Sequence, residues 1–154
     1  MNILGIDPAA KCGFAHSNGE HGVWILKEKS KEHPGLRLER FRRRLFLMRR
    51  DYGVDAIGIE DAGFGAINDN TAAMHNELIG IAKLVASEWS KVPVFLYKPC
   101  HLKKWLTGNG RADKSQMIAA VNSQFGLKVT DDNVADAICV MERTRFEVSQ
   151  GALK

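Results

Sequence analysis

Asn2-Ile3-Leu4-Gly5-Ile6-Asp7-Pro8-Ala9-Ala10 opens the chain, and the reading of Asp7 within it decides the fold. Ile3, Leu4 and Ile6 form a short apolar run of strand-favouring residues that Pro8 ends. A run without polar alternation suits a central strand buried on both faces. A carboxylate deep in such a sheet is costly unless a cation or several donors neutralise it. Residues 10–15 read as a second strand across a hairpin turn, and 22–26, after Asn18-Gly19-Glu20, as a third. A lone Asp before Pro has a plain reading as a turn residue. Asp7, however, has acidic company elsewhere in the chain.

Asp55-Ala56-Ile57-Gly58-Ile59-Glu60-Asp61 repeats the design of a short apolar strand ending in carboxylates. In a parallel α/β sheet, functional residues gather beyond the carboxyl ends of the strands, so Glu60 and Asp7 become neighbours if their strands pair. Gly63-Phe64-Gly65 follows as a loop with one aromatic candidate for exposure. Asp131-Asp132-Asn133-Val134-Ala135-Asp136-Ala137 begins the last helix. Asp131 and Asp132 are explained by the helix dipole, which favours acids in a first turn. Asp136 is not, because it lies a turn further in between two alanines. Asp132 and Asp136 share a face at i and i+4, as Asn133 and Asp136 do at i and i+3.

The intervening chain supplies the frame. Residues 36–52 read as a helix by the spacing of Leu38, Phe41, Leu45 and Met48, with Arg37, Arg40, Arg42, Arg43, Arg44, Arg49 and Arg50 on its other faces. Those arginines are either a solvated cationic face or a phosphate-contacting one. Residues 70–89 form a second helix with Asn70 or Thr71 as N-cap. It is apolar on two sides, Met74, Leu78, Ile81 and Val85 on one and Ala72, Ile79, Ala82 and Ala86 on the other. Two apolar sides need more than a sheet to cover them, either a second copy of the chain or another helix of the same one. Residues 92–97 read as a strand and 99–106 as a short helix bearing Lys103, Lys104 and Trp105. Residues 107–112 form a loop without an apolar anchor, a candidate mobile segment. Asp113 and Gln116 have the capping-box spacing that starts the next helix.

The 154 residues make one domain, with 45% hydrophobic and 26% charged residues, the ordinary composition of a globular protein. No apolar run approaches a membrane span and no signal peptide is evident, so a cytoplasmic protein is expected. Cys12, Cys100 and Cys139 are widely spaced, which speaks against a zinc or disulfide framework. The net charge is +4, and a basic surface around an acidic pocket suits a polyanion held outside and cut, with metal, inside.

Three strands, helix, strand, helix, strand and further helices, with acids on strand one, strand four and the last helix, resemble the ribonuclease H-like fold. That is an α/β arrangement with a mixed five-stranded sheet flanked by helices. The closer resemblance is to the RuvC group of Holliday-junction resolvases, across nearly the whole chain. Gly5-Ile6-Asp7-Pro8 resembles the group's opening motif, with Ala9-Ala10 where a glycine turn is usual. Ile59-Glu60 resembles the second acidic position and Ala135-Asp136-Ala137 the last. Asp113-Lys114-Ser115-Gln116 resembles the stretch around a functional lysine, and Lys103 stands at the place of another. One departure is Asn133, which stands three positions before Asp136 where the group often has a fourth acid.

The resemblance implies an endodeoxyribonuclease that resolves four-way junctions and related branched DNA by paired nicks, working as a homodimer. Carboxylates without a cysteine or histidine pattern make a hard-oxygen site for Mg²⁺ or Mn²⁺, two ions per site in this chemistry. Asp7 would bridge the ions, Glu60 and Asp136 would each hold a side, and Asp132 or the Asn133 amide oxygen would assist. Lys114 would stabilise charge on the scissile phosphate, with Lys103, Lys104 and Arg111 on the flanking backbone. Phe64 would wedge into unstacked bases, or else is a half-exposed hydrophobic plug. The rival readings are a nuclease of this fold for flaps, forks or RNA–DNA hybrids, and a branched-DNA binder that has lost catalysis. An ATPase sharing the Gly-x-Asp opening lacks the further glycine-rich phosphate loops it would need.

Overall fold

The computed structural model describes residues 1–27, 29–63 and 69–152. Ten elements follow in order: β1 (Ile3–Asp7), β2 (Lys11–His16), β3 (His21–Ile25), α1 (Leu36–Tyr52), β4 (Ala56–Glu60), α2 (Asp69–Glu88), β5 (Val94–Tyr97), α3 (Pro99–Thr107), α4 (Lys114–Phe125) and α5 (Asp132–Ser149). The strands form one mixed sheet in the order β3-β2-β1-β4-β5. β1 is therefore central and buried along its whole length. It pairs antiparallel with β2 and parallel with β4, and β4 pairs parallel with β5. With Ile6 opposite Ile59, the strands carrying Asp7 and Glu60 end side by side.

Two apolar layers sandwich the sheet. Leu4, Ile6, Ile57 and Ile59 point to α1 and α2, where they meet Phe41, Leu45, Leu78, Ala82 and Val85. Ile3, Ala15 and Ala56 point the other way, to α3, α4 and α5. The alternation of strand side chains between faces produces both layers from one short run.

The α5 layer rests on three glycines. A Cβ at Gly13 of β2 would come within 2.0 Å of the Asn133 carbonyl oxygen. One at Gly5 of β1 would meet the Ala137 oxygen at 2.4 Å, and one at Gly58 of β4 the Thr144 Oγ1 at 2.0 Å. No rotamer change relieves the backbone clashes at Gly13 and Gly5, while at Gly58 the added methyl would meet the side chains of Thr144 and Val140. The helix therefore crosses three neighbouring strands, with its backbone against Gly13 and Gly5 and its Thr144 and Val140 side chains against Gly58, reaching from the Asp7 end of β2 toward the body of β4.

Several sequence expectations need correction. The second helix begins at Asp69, so Asn70 and Thr71 lie inside it rather than capping it. The two apolar sides of α2 are largely covered within the chain by the sheet and α1: Leu78, Ile79, Ala82, Val85 and Ala86 are all buried. That side-to-side apolarity therefore does not itself require a second copy, although Leu84 remains 53% and Phe46 37% exposed. The 107–112 loop is anchored, not loose. Ala112 is 1% exposed, the Thr107 hydroxyl donates to the Lys103 carbonyl at 2.8 Å, and the Arg111 amide donates to Asn109 Oδ1 at 2.9 Å. The capping box stands as read, with Asp113 accepting from the Gln116 amide and the Gln116 side chain from the Asp113 amide. The three cysteines are free. Among the described residues no helix is long and apolar enough to cross a membrane.

Gly5→Ala and Gly58→Ala are expected to lower unfolding stability by about 2–3 kcal/mol, as overpacked cores do. Gly80→Ala, with open space around its α carbon on α2, is expected to gain about 0.5–1 kcal/mol from helix propensity. Denaturant melts of the three variants check both signs.

Candidate active site

Asp7 is the last residue of β1 and is only 8% exposed. Its register partner on β2 is Gly13, the glycine that admits the first turn of α5. The close approach at Gly13 thus brings Asp132, Asn133 and Asp136 over the end of β1. Glu60 ends β4, with Tyr97 as its partner on β5, and the amide of Asp61 donates to the Tyr97 carbonyl at 2.8 Å to hold that end in place.

The carboxylates sense one another strongly. Burial raises Asp7 from 3.8 to about 7, and the charges of Asp136 and Asp132 add to the rise. Burial also raises Glu60 well above its ordinary value, with Asp7 and Asp136 adding to it. Asp136 rises to about 6 through burial, opposed by Lys103 and Lys114 and reinforced by Asp132. These are groups whose negative charge is under-compensated by the protein. Among the described residues no three acidic or imidazole groups are already drawn together as a closed ligand cage. The donor set nevertheless fits a hard cation, since it consists of carboxylate oxygens whose charge the protein leaves under-compensated.

Two cations stand at the rim. Lys114, at the first position of α4, forms an ion pair with Asp132. Its ammonium is raised by that bond and also feels Asp136 and Asp7. Lys103, on α3, lowers both Asp136 and Glu60. Lys104 faces elsewhere: it lines a separate groove with Tyr97, His101, Trp105 and Arg143. The Arg111 side chain is exposed on the turn before α4. Asn133 seats its backbone on Gly13, while Asp132 is the neighbour whose charge reaches Asp7 and Asp136. Phe64 lies outside the described residues.

Sequence reasoning missed two supports. Lys11, at the start of β2, forms an ion pair with Asp131, whose carboxylate also caps α5 through the Asn133 and Val134 amides at 3.0 and 3.3 Å. That pair ties the β1–β2 turn to the helix carrying Asp136, and only its position just after Asp7 hinted at it. His75 of α2 is buried, and the Asp61 charge opposes the lowering of its imidazole by burial. Nothing in the sequence marks it.

The chain is similar to known proteins over most of its length. The family model described as crossover junction endodeoxyribonuclease RuvC matches residues 3–141. The chain is 34% identical over 152 residues to the crossover junction endodeoxyribonuclease RuvC of Wolinella succinogenes, covering 91% of each. It is 35% identical over 149 residues to that of Alkaliphilus oremlandii, covering 91% of this chain and 90% of the relative. Among solved structures, Thermus thermophilus RuvC in complex with a Holliday junction substrate superposes with a TM-score of 0.81 at 24% identity. That match covers 98% of this chain and 96% of the other, and at this identity it speaks for the fold.

The buried charge has a measurable consequence. The folded pKa of Asp7 lies above its unfolded value, so the native state keeps a proton that the unfolded state has lost. Metal-free stability is thus expected to fall as pH rises from about 4 to about 7, with a charging cost on the order of 4 kcal/mol. Asp7→Asn should melt higher than the wild type in EDTA at pH 7.5, and the gap should close toward pH 4. Thermal melts across that range check it.

Proposed function

Because this chain belongs to the RuvC family of crossover junction endodeoxyribonucleases, we propose that it nicks four-way DNA junctions and related branched DNA at the Asp7–Glu60–Asp136 site. The observation that carries the reading is the burial of Asp7 and Glu60 at adjoining ends of β1 and β4 beneath Asp136 of α5, where burial raises all three carboxylates and the charge of Asp136 adds to the rise of the other two. A chain of net charge +4 that concentrates uncompensated negative charge in one place suits a polyanion drawn in by a cation-loaded pocket.

Asp7, Glu60, Asp136 and Asp132 would hold the metal, Mg²⁺ or Mn²⁺ and two ions per site, with the Asn133 amide oxygen as the neutral alternative to Asp132. Such ions supply a water of lowered pKa and charge compensation at the leaving oxygen of an in-line displacement. The protein's own part is positional. Asp7 is carried by the end of the central strand β1 rather than by a loop. Lys114, held at the rim by Asp132, is placed to donate to the non-bridging oxygens of the scissile phosphate, where charge develops. Lys103 offsets part of the carboxylate charge from the α3 side and keeps the pocket chargeable at neutral pH. Arg111 would touch the backbone beside the site and Lys104, which lines the separate groove, would touch it farther out, contacts that position DNA without reading its sequence.

A homodimer suits this substrate, because a two-fold pair of sites matches the two-fold symmetry of a four-way junction and yields paired nicks. Leu84 and Phe46 are the exposed apolar residues of the α1–α2 face available for such contact.

Labelled four-way junction, fork, flap, linear duplex and RNA–DNA hybrid, incubated with Mg²⁺, Mn²⁺ or EDTA, test the reading. Symmetric metal-dependent nicks chiefly in the junction are expected, abolished in Asp7→Asn and lowered about 100-fold in Lys114→Met. Preferential cutting of flaps or hybrids would keep the site and change the substrate. Junction binding without cleavage under any metal would mark a binder, with Asn133→Asp as the first variant to try for restored activity.

A further inference from the structure

Most of the arginines of α1 are engaged inside the chain. Arg40 holds Glu32 at 2.8 Å, Arg50 holds Asp51 at 2.6 Å and Arg42 faces Glu88 at 3.9 Å. Arg42 also lies over the Phe46 ring at 4.8 Å, and Arg49 over the Trp89 ring at 4.9 Å. Arg43 and Arg44 are different. Both are exposed, and among the described residues neither has a hydrogen bond, ion pair or ring contact. With Arg40, Leu47 and Ile25 they line a groove of about 340 Å³ on the outer edge of the sheet.

The groove's place in the fold gives it meaning. Ile25 is the last residue of β3 and pairs with Lys11, the first residue of β2, four positions after Asp7. The Leu26 amide donates to the Ala10 carbonyl at 2.8 Å, fastening this corner to the turn that follows Asp7. The groove therefore opens at the same end of the sheet as the carboxylates. It lies two strands away from β1, about 10 Å by the usual strand spacing. Three base pairs of duplex rise span the same distance, since each strand places a phosphate every ~3.4 Å along the axis. The one nearby acid on α1 is Glu39, a turn before Arg43, and it leaves the patch with a net positive charge.

We propose that Arg43 and Arg44, on the lip of this groove beside Ile25, grip the phosphates of a duplex arm as it leaves the Asp7 site. This rests on the branched-DNA reading above and adds a second contact surface to it, on the opposite side of β1 from Lys103 and Lys104. Two guanidiniums without partners among the described residues need break no ion pair to turn to phosphate, and their planar forks suit its oxygens. The apolar floor of Ile25 and Leu47 supports the arginine stems and contributes no base readout.

The experiment measures junction affinity against salt in an Asp7→Asn background, where cleavage does not intrude, for R43Q/R44Q, R43K/R44K and R50Q. Loss of two phosphate contacts should lower the slope of log affinity against log salt by about 2 in R43Q/R44Q. Between 50 and 200 mM salt the parent should then lose about tenfold more affinity than this variant. R43K/R44K should restore most of the slope, and R50Q should leave it unchanged. On the catalytically intact chain, single-turnover cleavage at saturating protein should be unaltered in R43Q/R44Q. An unchanged slope in R43Q/R44Q, or an equal loss in R50Q, overturns the proposal. Failure of the intact chain to cut any branched DNA would instead overturn the functional reading, since the salt slope in the Asp7→Asn background reports the arginine contact without cleavage.

Discussion

The approach of α5 to bare backbone is the constraint on which the site depends. Gly13, Gly5 and Gly58 lie on three neighbouring strands, and each lacks the one atom that would push the helix away. With the helix seated there, Asp136 and Asp132 stand over the end of β1. Moved out by the width of a methyl group, they would face water, and Asp7 would be a strand-end acid without company. The glycines thus do for the site what no acidic residue can do for itself.

Closeness has an electrostatic cost that the fold does not remove. Asp7, Glu60 and Asp136 all hold protons more tightly than ordinary carboxylates, because burial withdraws water and their neighbours repeat the same charge. Lys103 and Lys114 relieve a part of this from the rim. A site that remains under-neutralised after its own lysines are counted is prepared for a cation from outside, and the resulting pocket is then prepared for phosphate. Stability without metal and competence with it are two readings of the same buried charge.

The cations of α1 divide by partner. Those facing Glu32, Glu88 and Trp89 fasten the helix to its surroundings and those facing Asp51 and Phe46 are held within it, whereas Arg43 and Arg44 are left facing solvent at the active-site end of the sheet. An arginine-rich helix is thus neither wholly a solvated face nor wholly a binding surface, and the acids and rings near each arginine, some on the helix itself and some brought by packing, sort one group from the other.

Much of this was legible before any coordinates. The short apolar run before Asp7 suited a doubly buried strand, its echo before Glu60 made the two acids neighbours if the strands paired, and the Asp113–Gln116 spacing announced α4. Periodicity and capping are local, so the local sequence determines them. What tertiary structure alone decided was which acids meet. The Asn133 carbonyl on Gly13, the ion pairs of Lys114 with Asp132 and of Lys11 with Asp131, and the turning of Lys104 away from Lys103's side all join segments distant in the chain. The same holds for the covering of α2 by α1 and the anchoring of the 107–112 loop through buried Ala112. Residue identity determines what a group can do, but which charge it answers to depends on a separation of a few ångströms that only packing fixes.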